Sequence, residues 1–202
     1  MRNRGFSLTE FLVAIGIALV VAIVITAFAR NTFFLNYSAQ ASLNAQLESR
    51  KLLALMVSEL RSASVSALGG YALESAGTST ITFYADVTGD NNADRVRYYI
   101  DPATKSVKRG LVVASGTPPS YSIPSETLSI LISDIANGTS TALFDYYNGN
   151  YAGTSSPLSY PLNLNQVRMV RITLAIDKDA YRLPTTTVFT SQANLRNLKD
   201  NL

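Results

Sequence analysis

Glu10 is the residue whose position in this sequence most clearly predicts a chemical role. It stands at the start of a run, Phe11 to Ala29, that contains no charged residue. As a helix, which rises about 1.5 Å per residue, this run is long enough to cross the hydrocarbon core of a bilayer. An ionisable side chain at the edge of such a segment is costly, so we expect Glu10 to be functional and to have a charged partner.

A second set of oxygen-bearing side chains occupies alternate positions of one short acidic segment. Its members are Asp86, Thr88, Asp90, Asn92 and Asp94. The spacing resembles the opening positions of a calcium loop of the EF-hand or dockerin type, and Ca²⁺ takes about six to eight oxygen ligands. These five residues are therefore a candidate calcium site.

Two positions of this segment depart from the calcium-loop pattern. Asn91 stands where such a loop has glycine, which is tolerable because Asn adopts the left-handed region. Arg97 stands where a bidentate glutamate belongs, so the pattern predicts at most a partial site of modest affinity. The alternative is a plain polar hairpin loop, since Asp, Asn and Gly are the residues that such loops use.

The composition argues against several kinds of catalytic and metal site. The chain of 202 residues has no cysteine, which excludes thiol catalysis, metal–thiolate sites and disulfides. It has no histidine either, which removes the commonest general base and the usual zinc ligand. Neither a Ser-x-x-Lys nor a Gly-x-Ser-x-Gly motif is present. We therefore expect no enzyme, and no cofactor other than the candidate calcium.

The formal net charge of +3 does not indicate a nucleic-acid partner. Arg2 and Arg4 supply most of the positive excess, and no basic run follows them. Because Lys and Arg beside a membrane segment stay in the cytoplasm, the two arginines instead predict a cytoplasmic amino terminus. The rest of the chain is expected to have an ordinary surface of mixed charge.

One long helix is predicted over residues 6–68, because the start of the chain is poor in helix breakers. All seven prolines lie in the second half of the chain, and the glycines before position 69 are Gly5 and Gly16. From Arg30 onward, apolar residues recur at helical spacing: Leu43, Leu47, Leu53, Val57 and Leu60. We expect this stripe to pack on the chain's own globular domain rather than in a coiled coil, because its spacing drifts. The glycine pair after Leu68 is expected to end the helix.

β-Branched and aromatic runs after residue 70 predict an antiparallel sheet. The predicted strands are 80–85, 95–100, 106–114, 142–147, 167–176 and 185–190. The segment 126–135 is compatible with a strand or a short helix. Two stretches rich in Gly, Ser, Pro and Tyr, 115–124 and 148–161, predict long surface loops.

The order Gly5-Phe6-Ser7-Leu8-Thr9-Glu10, followed by the apolar run, resembles the processing site of type IV pilins and type II secretion pseudopilins. The resemblance implies that a prepilin peptidase cuts between Gly5 and Phe6, and that Phe6 is then N-methylated. It also implies that Glu10, in an assembled filament, pairs with the amino terminus of a neighbouring subunit's Phe6. Physically, glycine lets a protease approach the backbone closely, and opposite charges in a low dielectric stabilise each other.

A second resemblance connects the later part of the chain with minor pilins and J-type minor pseudopilins. It is carried by four segments: 83–86, 95–99, 167–172 and 194–198. The lack of cysteine fits these proteins better than the pilins that clamp a C-terminal loop with a disulfide. Both resemblances imply the pilin-like α+β fold that the pattern predicts independently, a long N-terminal helix packed on an antiparallel β-sheet domain. Its parts would be a leader (1–5), a transmembrane half-helix (6–29), an amphipathic half-helix (30–68) and a globular β domain (69–202).

Three other interpretations of the first thirty residues compete with a prepilin. A secretory signal peptide is compatible with the small residues of Ala27-Phe28-Ala29, but the apolar run exceeds the roughly 7–15 residues of a signal core. A plain single-span anchor would not need Glu10. A buried core helix rarely continues so far without a charge.

The expected function is therefore a structural one, as a minor pilin or pseudopilin of a type IV pilus or a type II secretion system. The expected partners are prepilin peptidase, other pilin subunits and the cytoplasmic membrane, which the chain would cross once. After assembly, its C-terminal domain would be periplasmic or extracellular. The alternative is a pilin-like adhesin or DNA-capture subunit that uses the tyrosine-rich loop around Tyr146, Tyr147, Tyr151 and Tyr160.

Overall fold

The computed structural model describes residues 7–138, 141–177 and 186–195. The predicted cleavage and methylation residues, Gly5 and Phe6, lie outside the described residues, as do the end of the second resemblance and the start of the last predicted strand. The chain divides into two compact units, Met1–Asn44 and Ala45–Leu202.

A continuous helix, α1 (Leu8–Arg61), forms the described part of the first unit and enters the second. Near the amino terminus it is long and apolar enough to cross a membrane. Thr26, the one hydroxyl of the uncharged run, donates to the Ala22 carbonyl oxygen at 2.8 Å, so this polar group is satisfied within the helix. The described part of the chain thus has one candidate membrane-spanning helix.

In the second unit, the end of α1 packs on the β-sheet domain through one face. The buried positions recur at helical spacing: Ala45, Ser49, Leu52, Leu53, Met56, Val57 and Leu60. The predicted apolar stripe is right for Leu53, Val57 and Leu60 but wrong for Leu43 and Leu47, which are each 58 % exposed. The first buried positions are small residues, which a pattern built on leucines overlooks.

The helix ends at Arg61, before the predicted end at Leu68. The Ser62 hydroxyl donates to a carbonyl of the preceding turn at 2.8 Å, and serine competes in this way with helical backbone bonds. The backbone N–H of Ser64 donates at 2.8 Å to a strand carbonyl, so the chain has already left the helix. Gly69, with φ of +80°, closes a later turn and does not end α1.

The rest of the second unit forms two antiparallel sheets, which confirms the predicted α+β fold. In the first sheet the strands lie in the order β1 (Leu73–Ala76), β2 (Thr80–Ala85), β3 (Asp94–Asp101), β4 (Ser106–Val112) and β5 (Thr127–Ile132). In the second the order is β6 (Phe144–Tyr147), β7 (Met169–Ile176) and β8 (Thr187–Asn194). The ambiguous segment 126–135 therefore contains a strand. Strand β1 has no β-branched residue and was not predicted.

The inner faces of the strands and the buried face of α1 share one hydrophobic core. Alternate residues of β2, Ile81 and Phe83, are completely buried, as is Val96 of β3. The register of β3 on β4 places Tyr98 opposite Arg109. Two polar side chains therefore stand next to each other on the face that α1 covers.

Glu59 of α1 binds both of these polar side chains. The Arg109 Nε and Nη2 atoms lie 3.1 and 2.7 Å from the two carboxylate oxygens of Glu59. The Tyr98 hydroxyl donates to the same carboxylate at 2.5 Å. Burial and the nearby carboxylate raise the pKa of Tyr98 above its usual range, so the hydroxyl keeps the proton that it donates. The side chains of Arg109 and Glu59 are 16 % and 10 % exposed.

We predict that Glu59→Met destabilises the folded domain by about 2–3 kcal/mol, because the half-buried Arg109 and the buried Tyr98 hydroxyl both lose their partner. The triple variant Glu59→Met, Arg109→Met, Tyr98→Phe should recover most of this loss, since it buries no unpaired polar group. Thermal unfolding in detergent, followed by tyrosine near-ultraviolet circular dichroism, measures both. Lys51→Met, at an exposed position of the same helix, is the control. A triple variant no more stable than the single one would contradict the interpretation.

Candidate functional sites

The Glu10 carboxylate is bound within the first turn of α1. Its Oε2 atom accepts hydrogen bonds from the Ser7 backbone N–H and from the Ser7 hydroxyl, both at 2.9 Å. The Glu10 backbone N–H in turn points at the Ser7 hydroxyl oxygen at 3.3 Å. This reciprocal arrangement is a capping box, which satisfies two of the N–H groups that a helix start leaves unpaired.

The capping box gives Glu10 a structural role that the sequence analysis missed. The signal was available, since Ser7-Leu8-Thr9-Glu10 matches the Ser/Thr-x-x-Glu pattern ahead of an apolar run. Both side-chain bonds use one carboxylate oxygen, and the described residues place no hydrogen bond on the other, Oε1. One oxygen can therefore close the helix while the other accepts a further donor.

The candidate calcium residues lie in the loop between β2 and β3. The two carboxylate oxygens of Asp86 accept the backbone N–H groups of Gly89 and Asn91, at 2.7 and 3.0 Å. Asp90 accepts the Asn92 N–H at 2.9 Å, and this bond lowers the pKa of Asp90. Asn91 has a φ of 65°, the left-handed conformation expected at its position. The loop is thus held in shape by its own acidic side chains.

Asp94 is completely buried and holds the base of the same loop. One of its oxygens accepts the N–H groups of Val87 and Thr88 at 3.3 and 3.2 Å and the Thr88 hydroxyl at 2.9 Å. The other accepts the Ala114 N–H at 3.2 Å, which ties the loop to the end of β4. Four hydrogen bonds satisfy a carboxylate that has been withdrawn from water.

Arg97, at the position where a calcium loop has its last glutamate, is bound to Glu126. The Arg97 Nε and Nη2 atoms lie 2.9 and 2.5 Å from the two Glu126 oxygens. Gly110 of β4 makes room for that carboxylate, because a Cβ atom there would lie 2.1 Å from Glu126 Oε1. Within the described ranges, no three acidic side chains are grouped to hold a metal ion. Calcium binding by the loop stays a prediction. The alternative is a plain hairpin loop, with which these hydrogen bonds are also compatible.

Two of the four tyrosines proposed for ligand binding are packed inside the domain. Tyr146 and Tyr147 are each 1 % exposed, and the Tyr146 hydroxyl donates to the Gly77 carbonyl oxygen at 2.9 Å. The ring of Tyr151 lies against that of Tyr147, with 4.4 Å between the centroids. Tyr160 is 49 % exposed. The four side chains therefore do not form a shared exposed surface.

No family model matches this chain, and no curated protein matches it at a significant level. Any assignment of function therefore depends on the residues and their geometry.

We predict that calcium at about 1 mM raises the unfolding temperature of the chain, because an ion bound by the folded loop stabilises the folded state. Asp90→Ala should remove the effect, because it removes one of the five candidate calcium ligands. This carboxylate is exposed, so its loss leaves the base of the loop intact. Asp94 is unsuitable for this test because its carboxylate holds the loop together. Magnesium at the same concentration is the control. Equal unfolding temperatures with and without calcium would contradict the calcium site and favour a plain hairpin loop.

Proposed function

We propose that this chain is a structural subunit of a pilin-like filament, a minor pilin or pseudopilin, which is cut between Gly5 and Phe6 by a prepilin peptidase. The resemblance of the first ten residues to prepilin processing sites supports the proposal. The single candidate membrane span near the amino terminus supports it too. So does the packing of the end of α1 on an antiparallel sheet domain.

The carboxylate of Glu10 is the observation that carries this proposal. A plain membrane anchor needs no acid at the edge of its apolar run, and burying one is costly. In the filament, the protonated, N-methylated amino terminus of a neighbouring subunit's Phe6 would neutralise the charge. The capping box leaves Glu10 Oε1 open for that amine while Oε2 stays with Ser7.

The leader charges set the proposed orientation. Arg2 and Arg4 hold the amino terminus on the cytoplasmic side of the inner membrane. The sheet domain then lies on the periplasmic side before assembly and on the filament surface afterwards. The proposed partners are the peptidase, the cytoplasmic membrane and other pilin or pseudopilin subunits.

We predict that Glu10→Gln abolishes assembly as completely as Glu10→Ala does. Each variant should lower the assembled fraction about tenfold or more. Glutamine serves at the third position of a capping box as glutamate does, so Glu10→Gln keeps the helix start and removes the charge. The measurement is the recovery of an untagged copy with a tagged copy of the chain from solubilised membranes of the native cell.

The two substitutions separate the two roles of this residue. If Glu10 only caps the helix, Glu10→Gln assembles like the unaltered chain and Glu10→Ala does not, which would contradict the proposed ion pair. The mass of each variant's amino-terminal peptide is the control for processing. Both variants must start at Phe6 for the comparison to report on assembly.

A further inference from the structure

Two asparagines of this chain, Asn137 and Asn148, are followed directly by glycine. Such a pair is able to react with itself, because glycine has no side chain to keep its backbone nitrogen away from the asparagine side-chain amide. The attack forms a cyclic succinimide and releases ammonia, and this lability is one reason why heat-stable proteins avoid asparagine. Since both sites have the same dipeptide, a difference in their reactivity would have to come from the fold.

The side-chain amide of Asn137 is bound at both of its ends. Its Nδ2 atom donates to the carbonyl oxygens of Thr141 and Thr173, at 3.2 and 2.8 Å. Its Oδ1 atom accepts the backbone N–H of Ala175 at 2.8 Å. Thr173 and Ala175 belong to β7, so this half-buried amide joins its own segment to the second sheet. Turning it toward the Gly138 nitrogen would leave these groups without partners, which is costly.

The side-chain amide of Asn148 is exposed and is bound locally. Asn148 directly follows β6, and both Gly149 and Asn150 are exposed as well. Asn148 Oδ1 accepts the backbone N–H of Asn150 at 3.1 Å. Among the residues that the structure describes, no other hydrogen bond is made by this side chain, and none uses the Gly149 backbone N–H. The amide carbon and the attacking nitrogen are therefore free to approach each other.

We propose that Asn148 is a site of spontaneous deamidation in the folded protein, and that the hydrogen bonds of Asn137 protect the second Asn-Gly pair from this reaction. The Gly149 nitrogen attacks Cγ of Asn148, and the bond from Cγ to the side-chain nitrogen breaks. That nitrogen leaves as ammonia with the proton of the Gly149 N–H. Water then opens the succinimide at either carbonyl and leaves aspartate or isoaspartate at position 148. No oxidant, reductant or enzyme takes part.

The reaction changes the charge of an uncharged part of the sheet domain. Residues 146–167 contain no charged side chain, so the new carboxylate is the first charge in this stretch. It arises beside a basic residue, because a Cβ atom at Gly149 would lie 3.8 Å from Cγ of Arg168. Isoaspartate also lengthens the backbone directly after Tyr147, whose carbonyl oxygen accepts the Arg168 N–H at 2.8 Å. The modification therefore alters the end of β6, an edge strand of the second sheet.

Incubation of the full chain in detergent at neutral pH tests this proposal. A protease that cuts before aspartate places the two sites on separate peptides, 134–144 and 145–176. Mass spectrometry then measures the deamidated fraction of each against an unincubated sample, and an extra cut at 137 or 148 is counted as deamidation. Asn148 should deamidate at least about tenfold faster than Asn137, since hydrogen bonds must break for Asn137 to react. In urea, which unfolds the domain, the two rates should agree within about twofold.

Two glycine variants provide the matched comparison. Gly149→Ala should lower deamidation of Asn148 at least about tenfold, because the new side chain hinders the approach of the nitrogen. The fold accepts this change, since 3.8 Å to Arg168 Cγ is an ordinary contact. Gly138→Ala, where a Cβ atom has no neighbour within 4 Å, is the control and should leave the rate at Asn148 unchanged.

Each outcome supports or overturns the assignment. Faster deamidation at Asn148 that Gly149→Ala suppresses supports it. Equal rates at both sites of the folded chain, or a rate at Asn148 that Gly149→Ala does not change, overturn it. A difference that persists in urea also overturns it, because the hydrogen bonds of Asn137 would then not be its cause. The inference does not depend on the proposed function, which the Glu10 variants test separately.

Discussion

The ion pair between Glu59 and Arg109 is the interaction that positions the end of α1 on the five-stranded sheet of the second unit. It joins the end of α1 to β4 of the five-stranded sheet, and Tyr98 adds a hydrogen bond from the adjacent strand, β3. The bidentate geometry of the pair is satisfied at one position of the helix on the sheet. The helix is thereby held in one position on the sheet, and the hydrophobic core closes around it.

The surface of the same helix changes along its length. Over the apolar run, the helical backbone groups bond to one another and the side chains carry no charge, as a membrane-spanning helix would need. Past Ala45, one face meets the sheet domain. Between these parts, residues 31–44 contain no charged side chain. At the start, Glu10 closes the helix with one carboxylate oxygen and keeps the other available, so a local cap and an intermolecular bond are compatible.

The fold was largely predictable because its signals are local. Uncharged length, scarcity of breakers and β-branched runs predict the helix and most strands without knowledge of tertiary contacts. The misses come from contacts distant in sequence. The buried face of α1 begins at small residues, Ala45 and Ser49, which are buried only because the sheet domain packs there. The helix ends just before Ser64, whose backbone N–H donates to a strand carbonyl. The Glu59–Arg109 pair joins residues fifty apart in sequence. The capping box at Ser7 was predictable and was overlooked.

The central claim, that the chain is a processed filament subunit, is tested most directly by the mass of its amino terminus after purification from native membranes. The account predicts a chain that begins at Phe6 and carries one added methyl group. A chain that begins at Arg30 would show a secretory signal peptide. One that retains Met1 to Gly5 in cells with an active prepilin peptidase would show a plain membrane anchor. Either result would contradict the account.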